Sequence, residues 1–229
     1  MGLFVVEGVK MVEELLKNEF DWQAEEIIVR EDYPVHDWLE DIQFLTASKK
    51  DMERMSGMKT APEMIVVVKK KETQAGSFLE NNCIVLDGIK DPGNFGTIIR
   101  TAEWFGIRHI VCSEETVDLY NPKTVQSTMG SIFRTEVFYT SLPEFIQSFR
   151  KSGGKCYGTT MHGQSLYETD FSERTAVVIG SESHGMSEQT MQAADEMIAI
   201  PGAIGAESLN AAMAAGIVCS EWFRKKGNA

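Results

Sequence analysis

The sequence predicts an α/β protein: a mainly parallel C-terminal sheet covered on both faces, preceded by a small α/β unit. Three observations carry this. From residue 83 onward, short near-continuous apolar runs alternate with amphipathic segments, the pattern of strands buried on both faces and separated by helices. Composition changes near residue 75, across the polar stretch KKKETQAGS (69–77), which lacks large apolar residues and suits a linker. Glycines and polar residues collect just after the strand-like runs, where ligands sit in such sheets. The chain accordingly divides into a unit over 1–75 and a larger one over 76–229.

Taken in order, the first unit opens with LFVVEGVKMVEELLKN, in which Val9, Val12, Leu15 and Leu16 recur at helical spacing. The β-branched runs IIVR (27–30) and MIVVVK (64–69) read as strands, and SKKDMERMSG between them as a helix ended by Gly57. In the second unit the strand candidates are CIVLDG (83–88), HIVCS (109–113), TEVFYT (135–140), KCYGTT (155–160), AVVIG (176–180) and EMIAI (196–200). Amphipathic helices fall at 94–105, about 122–128, 142–151, 187–193 and 208–224.

Composition narrows the class. Apolar residues make up 43% and charged ones 24%, ordinary for a globular protein. No apolar run approaches the ~18–20 residues that cross a bilayer, and MGLFVVEGVK has no basic n-region, so neither a membrane span nor a secretory signal is expected. Cys83, Cys112, Cys156 and Cys219 are scattered and read as buried thiols in a reducing cytoplasm. No CxxC, His-Glu-x-x-His or carboxylate cluster suggests a metal. The net charge of −12 runs against nucleic acid. Residues 1–80 hold 10 basic against 17 acidic side chains, and residues 81–229 hold 12 against 17.

The loops narrow it further. There is no GxxxxGK[ST] and no GxGxxG after a strand, so nucleotide-triphosphate and dinucleotide chemistries are unsupported. What remains is DPGNFGTIIRTAEWFG (91–106), VVIGSESHGMS (177–187) and IPGAIGAESLNAAMAAGIVCSEW (200–222). These resemble, in order, the three signature motifs of the SpoU (TrmH-like) family of RNA 2′-O-ribose methyltransferases. The opening EG-x-K-x-V-x-E-x-L resembles, more loosely, the N-terminal substrate-binding domain of many members.

The resemblance implies a C-terminal trefoil knot, which connection rules alone would never predict. It implies S-adenosylmethionine in that knot and a homodimer with the site near the subunit interface. The substrate expected is RNA, ribosomal RNA ahead of tRNA. Asn94, Arg100, Glu182, Ser208 and Asn210 match the catalytic set. A guanidinium cannot take up a proton, so Arg100 is expected to help electrostatically by holding a phosphate and favouring ionisation of the hydroxyl. Thr159, Thr160, Gly180, Ile200 and Leu209 match the cofactor-contacting positions, largely through backbone that small residues let approach closely. On their own terms Glu182 and Ser208 also read as helix-start residues, Ser208 as an N-cap. Ser181 replaces the family's usual Asn, and Ala211-Ala212 its frequent Val-Ser. Two rival readings therefore stand: an RNA-binding protein that keeps the fold without catalysis, and a small-molecule enzyme on the same fold.

Overall fold

A computed structural model describes residues 2–17, 21–34, 36–71, 73, 76–203 and 208–227. The first four strands, β1 (Leu3–Glu7), β2 (Ala24–Arg30), β3 (Leu45–Ala47) and β4 (Met64–Lys69), form one sheet in the order β1-β4-β2-β3. β4 pairs antiparallel with both β1 and β2, and β3 adds to β2 in parallel. β1 buries Phe4 and Val6 and leaves Leu3 and Val5 largely exposed, as a one-sided strand must. The positive φ of Gly8 turns the chain from β1 into α1 (Val9–Leu16), whose Met11, Val12 and Leu15 cover the sheet. Helix α2 (Lys49–Met55) starts on a Ser48 cap and ends at Ser56, one residue before the expected Gly57.

The second sheet has six strands, all parallel: β5 (Cys83–Asp87), β6 (His109–Cys112), β7 (Glu136–Tyr139), β8 (Lys155–Ser165), β9 (Thr175–Gly180) and β10 (Glu196–Ala199). Their order is β10-β8-β9-β5-β6-β7. Alternate residues of each strand enter opposite cores. Ile84, Leu86, Ile110, Cys112, Val177 and Ile179 pack beneath α4 (Pro92–Trp104) and α8 (Ala211–Lys225). Cys83, Val85, Val111, Cys156, Ala176 and Val178 pack on the other face against α3 (Gly76–Glu80) and α6 (Leu142–Lys151). Helix α6 buries Leu142, Phe145, Ile146 and Phe149, one stripe at helical spacing, each worth about 1.5–3 kcal/mol.

The cores of the two sheets are continuous. Phe4, Val6 and Trp22 belong to the same apolar cluster as Ile99 and Phe133. Trp22 Nε1 donates to the Phe133 carbonyl at 2.9 Å and its ring meets Phe133 edge-on. Arg134 joins Glu14 of α1 to Glu103 of α4.

The chain runs outward from β5 through β6 to β7, then crosses to β8 on the far side of β5, after which β9 fills the place between β8 and β5 and β10 forms the edge. The order reverses between β5 and β9, which is where the carboxyl ends of an α/β sheet open a crevice.

Candidate active site

Each expected site residue is placed by a local rule of the chain. Asp91 caps α4: its Oδ1 accepts from Asn94 N at 2.8 Å, Pro92 follows in the first turn, and Lys123 Nζ lies 3.3 Å from Oδ2. The Asn94 backbone N–H, foremost, and then Lys123 hold the Asp91 carboxyl below its ordinary range. Asn94 is thus fixed in the first helical turn, half-buried.

The β9 end is built on close approach. A Cβ on Gly180 would lie 2.2 Å from Gly185 C and 2.3 Å from Met186 N, so only glycine fits. Beyond it the chain folds back on itself: Ser181 N donates to Gly185 O at 3.0 Å and Gly185 N to Ser181 O at 2.9 Å. Gly185 takes φ +68° to close this turn. Ser187 N then donates to Asp87 Oδ2, 2.7 Å away at the end of β5, which ties the two crevice strands together.

Three motifs meet through their side-chain amides and one carboxylate. Asn94 Nδ2 donates to Glu182 Oε1, and Asn210 Nδ2 donates to Asn94 Oδ1 at 3.1 Å. Asn210 Oδ1 accepts from Ala212 N (3.0 Å) and Met213 N (3.2 Å), capping α8. The cap is therefore Asn210 rather than Ser208, because Asn210 is the residue whose side-chain oxygen reaches the orphan amides of the first turn. Ser208 and Leu209 precede α8 as exposed residues, next to 204–207, which lie outside the described residues. Arg100 is exposed on α4, roughly 9 Å along the axis from Asn94, with no hydrogen bond or ion pair among the described residues.

The cofactor-matching positions share the same rim. Strand β8 is longer than the expected 155–160, and its pairing with β10 jumps: Met197 faces Gly158 but Ile198 faces Gln164. Residues 159–163 therefore have no register partner on β10. Thr159 Oγ1 donates to Val178 O at 2.8 Å, and Thr160 Oγ1 lies 3.5 Å from His162 N. Ile200 is half-buried against the core at the end of β10. The two departures from the family pattern are both accommodated. Ser181 Oγ accepts from His184 N at 3.3 Å inside its own loop, and Ala211 and Ala212 are buried in the first turn of α8.

Sequence reasoning passed over Asp87, Asp91 and Ser187 as supports of the site. Asp-Pro before an apolar-periodic segment was the available signal for Asp91, and an aspartate closing the run CIVLD that for Asp87. Among the described residues, no helix is long and apolar enough to cross a membrane and no cluster could hold a metal ion.

The profile of the SpoU rRNA Methylase family matches residues 81–220. The 23S rRNA (guanosine(2553)-2′-O)-methyltransferase RlmP of Bacillus subtilis is 31% identical over 94% of this chain and 86% of its own length. The 23S rRNA (uridine(2479)-2′-O)-methyltransferase of Streptomyces viridochromogenes is 27% identical, over 98% and 84%. The crystal structure of an AdoMet-bound rRNA methyltransferase from Sinorhizobium meliloti superposes with a TM-score of 0.86 at 25% identity, covering 97% of this chain and 87% of that one. On the matched profile, the relatives and the shared architecture, the chain belongs to the SpoU rRNA methylase family.

Proposed function

We propose that this chain transfers a methyl group from S-adenosylmethionine to a ribose 2′-hydroxyl of ribosomal RNA. The observation that carries the reading is the chain of hydrogen bonds from Glu182 through Asn94 to Asn210, set at the β5–β9 crevice, with Arg100 on the same helix as Asn94 and unpaired among the described residues. S-adenosylmethionine, when bound, supplies a methyl group on a cationic sulfur that departs as a neutral thioether.

The rim suits that cofactor. Its donors and acceptors are mostly backbone, it carries the small residues Thr159, Thr160 and Gly180, and Ile200 and Leu209 give apolar surface. The backbone of 159–163 at the end of β8, the Gly180–Ser181 turn and the segment ending at Leu209 would hold it. Glu182 fixes the Asn94 amide, and Asn94 in turn fixes Asn210, so the polar groups facing the ribose are already oriented before substrate arrives. Ser208, exposed ahead of α8, would contact the same sugar. Arg100 would neutralise the adjacent phosphate and favour the ionised hydroxyl oxygen.

Residues 1–75 we take as the substrate-binding unit and 76–229 as the methyltransferase unit, with the trefoil knot in the segment from β9 to α8. A cytoplasmic site of action follows from the substrate. The homodimer expected for the family would use the exposed faces of α4 and α8. Trp104 there is 82% exposed and Met213 61%, whereas Ala212 and Trp222 of the same helix are spent in the protomer's own core. Sedimentation of the purified chain as a monomer would refute that face.

The reading is tested by calorimetric titration of S-adenosylmethionine into the wild type and Arg100→Ala, followed by tritium transfer to unmodified ribosomal RNA. Equal cofactor binding with methyl transfer lost in the variant is expected. Absence of cofactor binding in folded wild-type protein would favour the non-catalytic RNA-binding alternative.

A further inference from the structure

Charge is unevenly placed within the N-terminal unit. Residues 1–44 hold 3 basic against 12 acidic side chains, whereas residues 45–71 hold 7 against 3. The second stretch covers β3, α2 and β4. A chain of net charge −12 thus keeps a basic region in the unit taken above to bind substrate.

The fold gathers that region on one side of the small sheet. Met64, Val66 and Val68 enter the core shared with α1, so Ile65 and Val67 point to the opposite side. There α2 covers part of the sheet, where Met52 joins Ile65 and Ala61. The rest stays open: Leu3, Val5, Met55 and Met58 are each 38–46% exposed. Val5 stands opposite Val67 and Leu3 opposite Lys69, and directly opposed residues share a face. Lys69 is therefore on this side, together with Lys50 on α2 and Lys59 just after it. All three are exposed and without a hydrogen bond or ion pair among the described residues.

The other charges of the region are accounted for. Lys49 lies in the field of Asp32, and Arg54 is 3.7 Å from Asp51. Glu7 accepts from Ser56 Oγ and Gly57 N, and Glu63 is 3.8 Å from Arg30. Glu26 and Glu53 are exposed and unpaired among the described residues. Lys70 is 3.6 Å from Asp118, and Lys71 N donates to Tyr120 Oη at 3.1 Å. Asp118 and Tyr120 lie in the segment that leaves the carboxyl end of β6, the end of the large sheet at which the crevice opens. The basic face therefore starts, at Lys69, beside that segment.

We propose that this face, floored by Leu3 and Val5 and bordered by Lys50, Lys59 and Lys69, docks an unpaired segment of the RNA substrate away from the reacting nucleotide. The assignment rests on residues 1–75 being the substrate-binding unit. The lysines take phosphates, which supply affinity without reading sequence, and the apolar side chains meet the faces of unstacked bases.

The test measures binding of in-vitro-transcribed ribosomal RNA against salt concentration, and single-turnover methyl transfer, for three proteins: wild type, the triple variant Lys50→Ala/Lys59→Ala/Lys69→Ala, and Lys151→Ala. In the triple variant RNA affinity should fall at least about tenfold, and the slope of log affinity against log salt should become shallower by about 2–3. Its rate at saturating RNA and its S-adenosylmethionine affinity should stay within twofold of wild type, and Lys151→Ala should match wild type throughout. A triple variant with wild-type affinity and slope would overturn the assignment and leave the face to an acidic protein. An equal loss in Lys151→Ala, or a fall in the saturated rate with RNA affinity unchanged, would overturn it as well. Wild type that binds RNA with the steeper slope but transfers no methyl group would instead overturn the ribose-methylation reading and leave the docking face standing.

Discussion

Replacing Arg134 with methionine removes one guanidinium and should loosen the seat of the N-terminal sheet on helix α4. Arg134 Nε lies 3.0 Å from Glu103 Oε1 and Nη2 lies 3.5 Å from Oε2, while Nη1 donates to Glu14 Oε2. The three side chains are only 21%, 22% and 26% exposed for Arg134, Glu103 and Glu14. An exposed pair is worth about 0–1 kcal/mol, and unpairing a fully buried one costs about 3–5. With roughly four fifths of each group out of water, the cost should be about 2 kcal/mol. Methionine keeps much of the apolar stem, so the loss is chiefly of charge. Two carboxylates, Glu14 and Glu103, then lose the cation they share, although Lys17 still reaches Glu14 and Ser131 Oγ still donates to Glu103 at 3.1 Å. For a chain of this length, 2 kcal/mol lowers the melting temperature by about 4–8 °C. Thermal melts of Arg134→Met, Glu103→Gln and the double variant check it, with a coupling of about 1 kcal/mol or more expected between the two sites. A single-variant cost below about 0.5 kcal/mol, or strictly additive effects, would show that the apolar seat around Trp22 and Phe133 suffices without the charges.

Gly180→Ala should lower S-adenosylmethionine affinity at least about tenfold and cost about 1–3 kcal/mol of stability. Its Cβ meets backbone atoms at 2.2 and 2.3 Å that cannot simply rotate away, and wild-type affinity by calorimetry would contradict this. Asn94→Ala breaks both links of the relay, so it should cost about 1–3 kcal/mol and reduce methyl transfer at least about tenfold in the tritium assay. Asp91→Asn should act through pH. The wild-type carboxyl is held below its ordinary value of 3.8 by the Asn94 N–H foremost and then by Lys123. Its contribution is therefore present above about pH 4 and lost as pH falls through the lowered value. The variant should be less stable at neutral pH and should show a smaller loss on acidification, read from urea melts between pH 2 and 7.

Most of the large sheet was legible because each strand there is buried on both faces and reads as an apolar run. All six expected strands and five expected helices exist, with ends that move by a few residues. The misses share a physical cause. β1 hides because LFVVE runs without a break into the apolar-periodic α1, so the alternation of Phe4 and Val6 against Leu3 and Val5 carries no visible polar partner. β3 is three residues long and borrows its stability from β2. β8 was cut short because TTMHGQS is polar, which is ordinary at the carboxyl end of a strand that opens into a crevice. At the last motif, both Ser208 and Asn210 satisfied the rule for an N-cap, and only the path of the chain decides between them. The relay joins residues 88 and 116 positions apart, and such contacts have no local signal. The motif resemblance gathered those residues into one site, but it could not say which hydrogen bonds join them.

The acidity of the chain looks like an obstacle to RNA binding until the cations are followed individually. Arg30, Lys70, Lys123, Arg134, Arg150, Lys155 and Arg224 are each spent on a nearby carboxylate. They neutralise the protein's own surface rather than advertise to a polyanion. Arg100, exposed on the helix that also presents Asn94, has no hydrogen bond or ion pair among the described residues. On an acidic surface the phosphate contacts that supply the sequence-independent part of affinity must come from cations not engaged in this way. Overall composition pointed away from nucleic acid while the loops pointed toward it, because net charge sums over the whole surface and does not register where single cations stand.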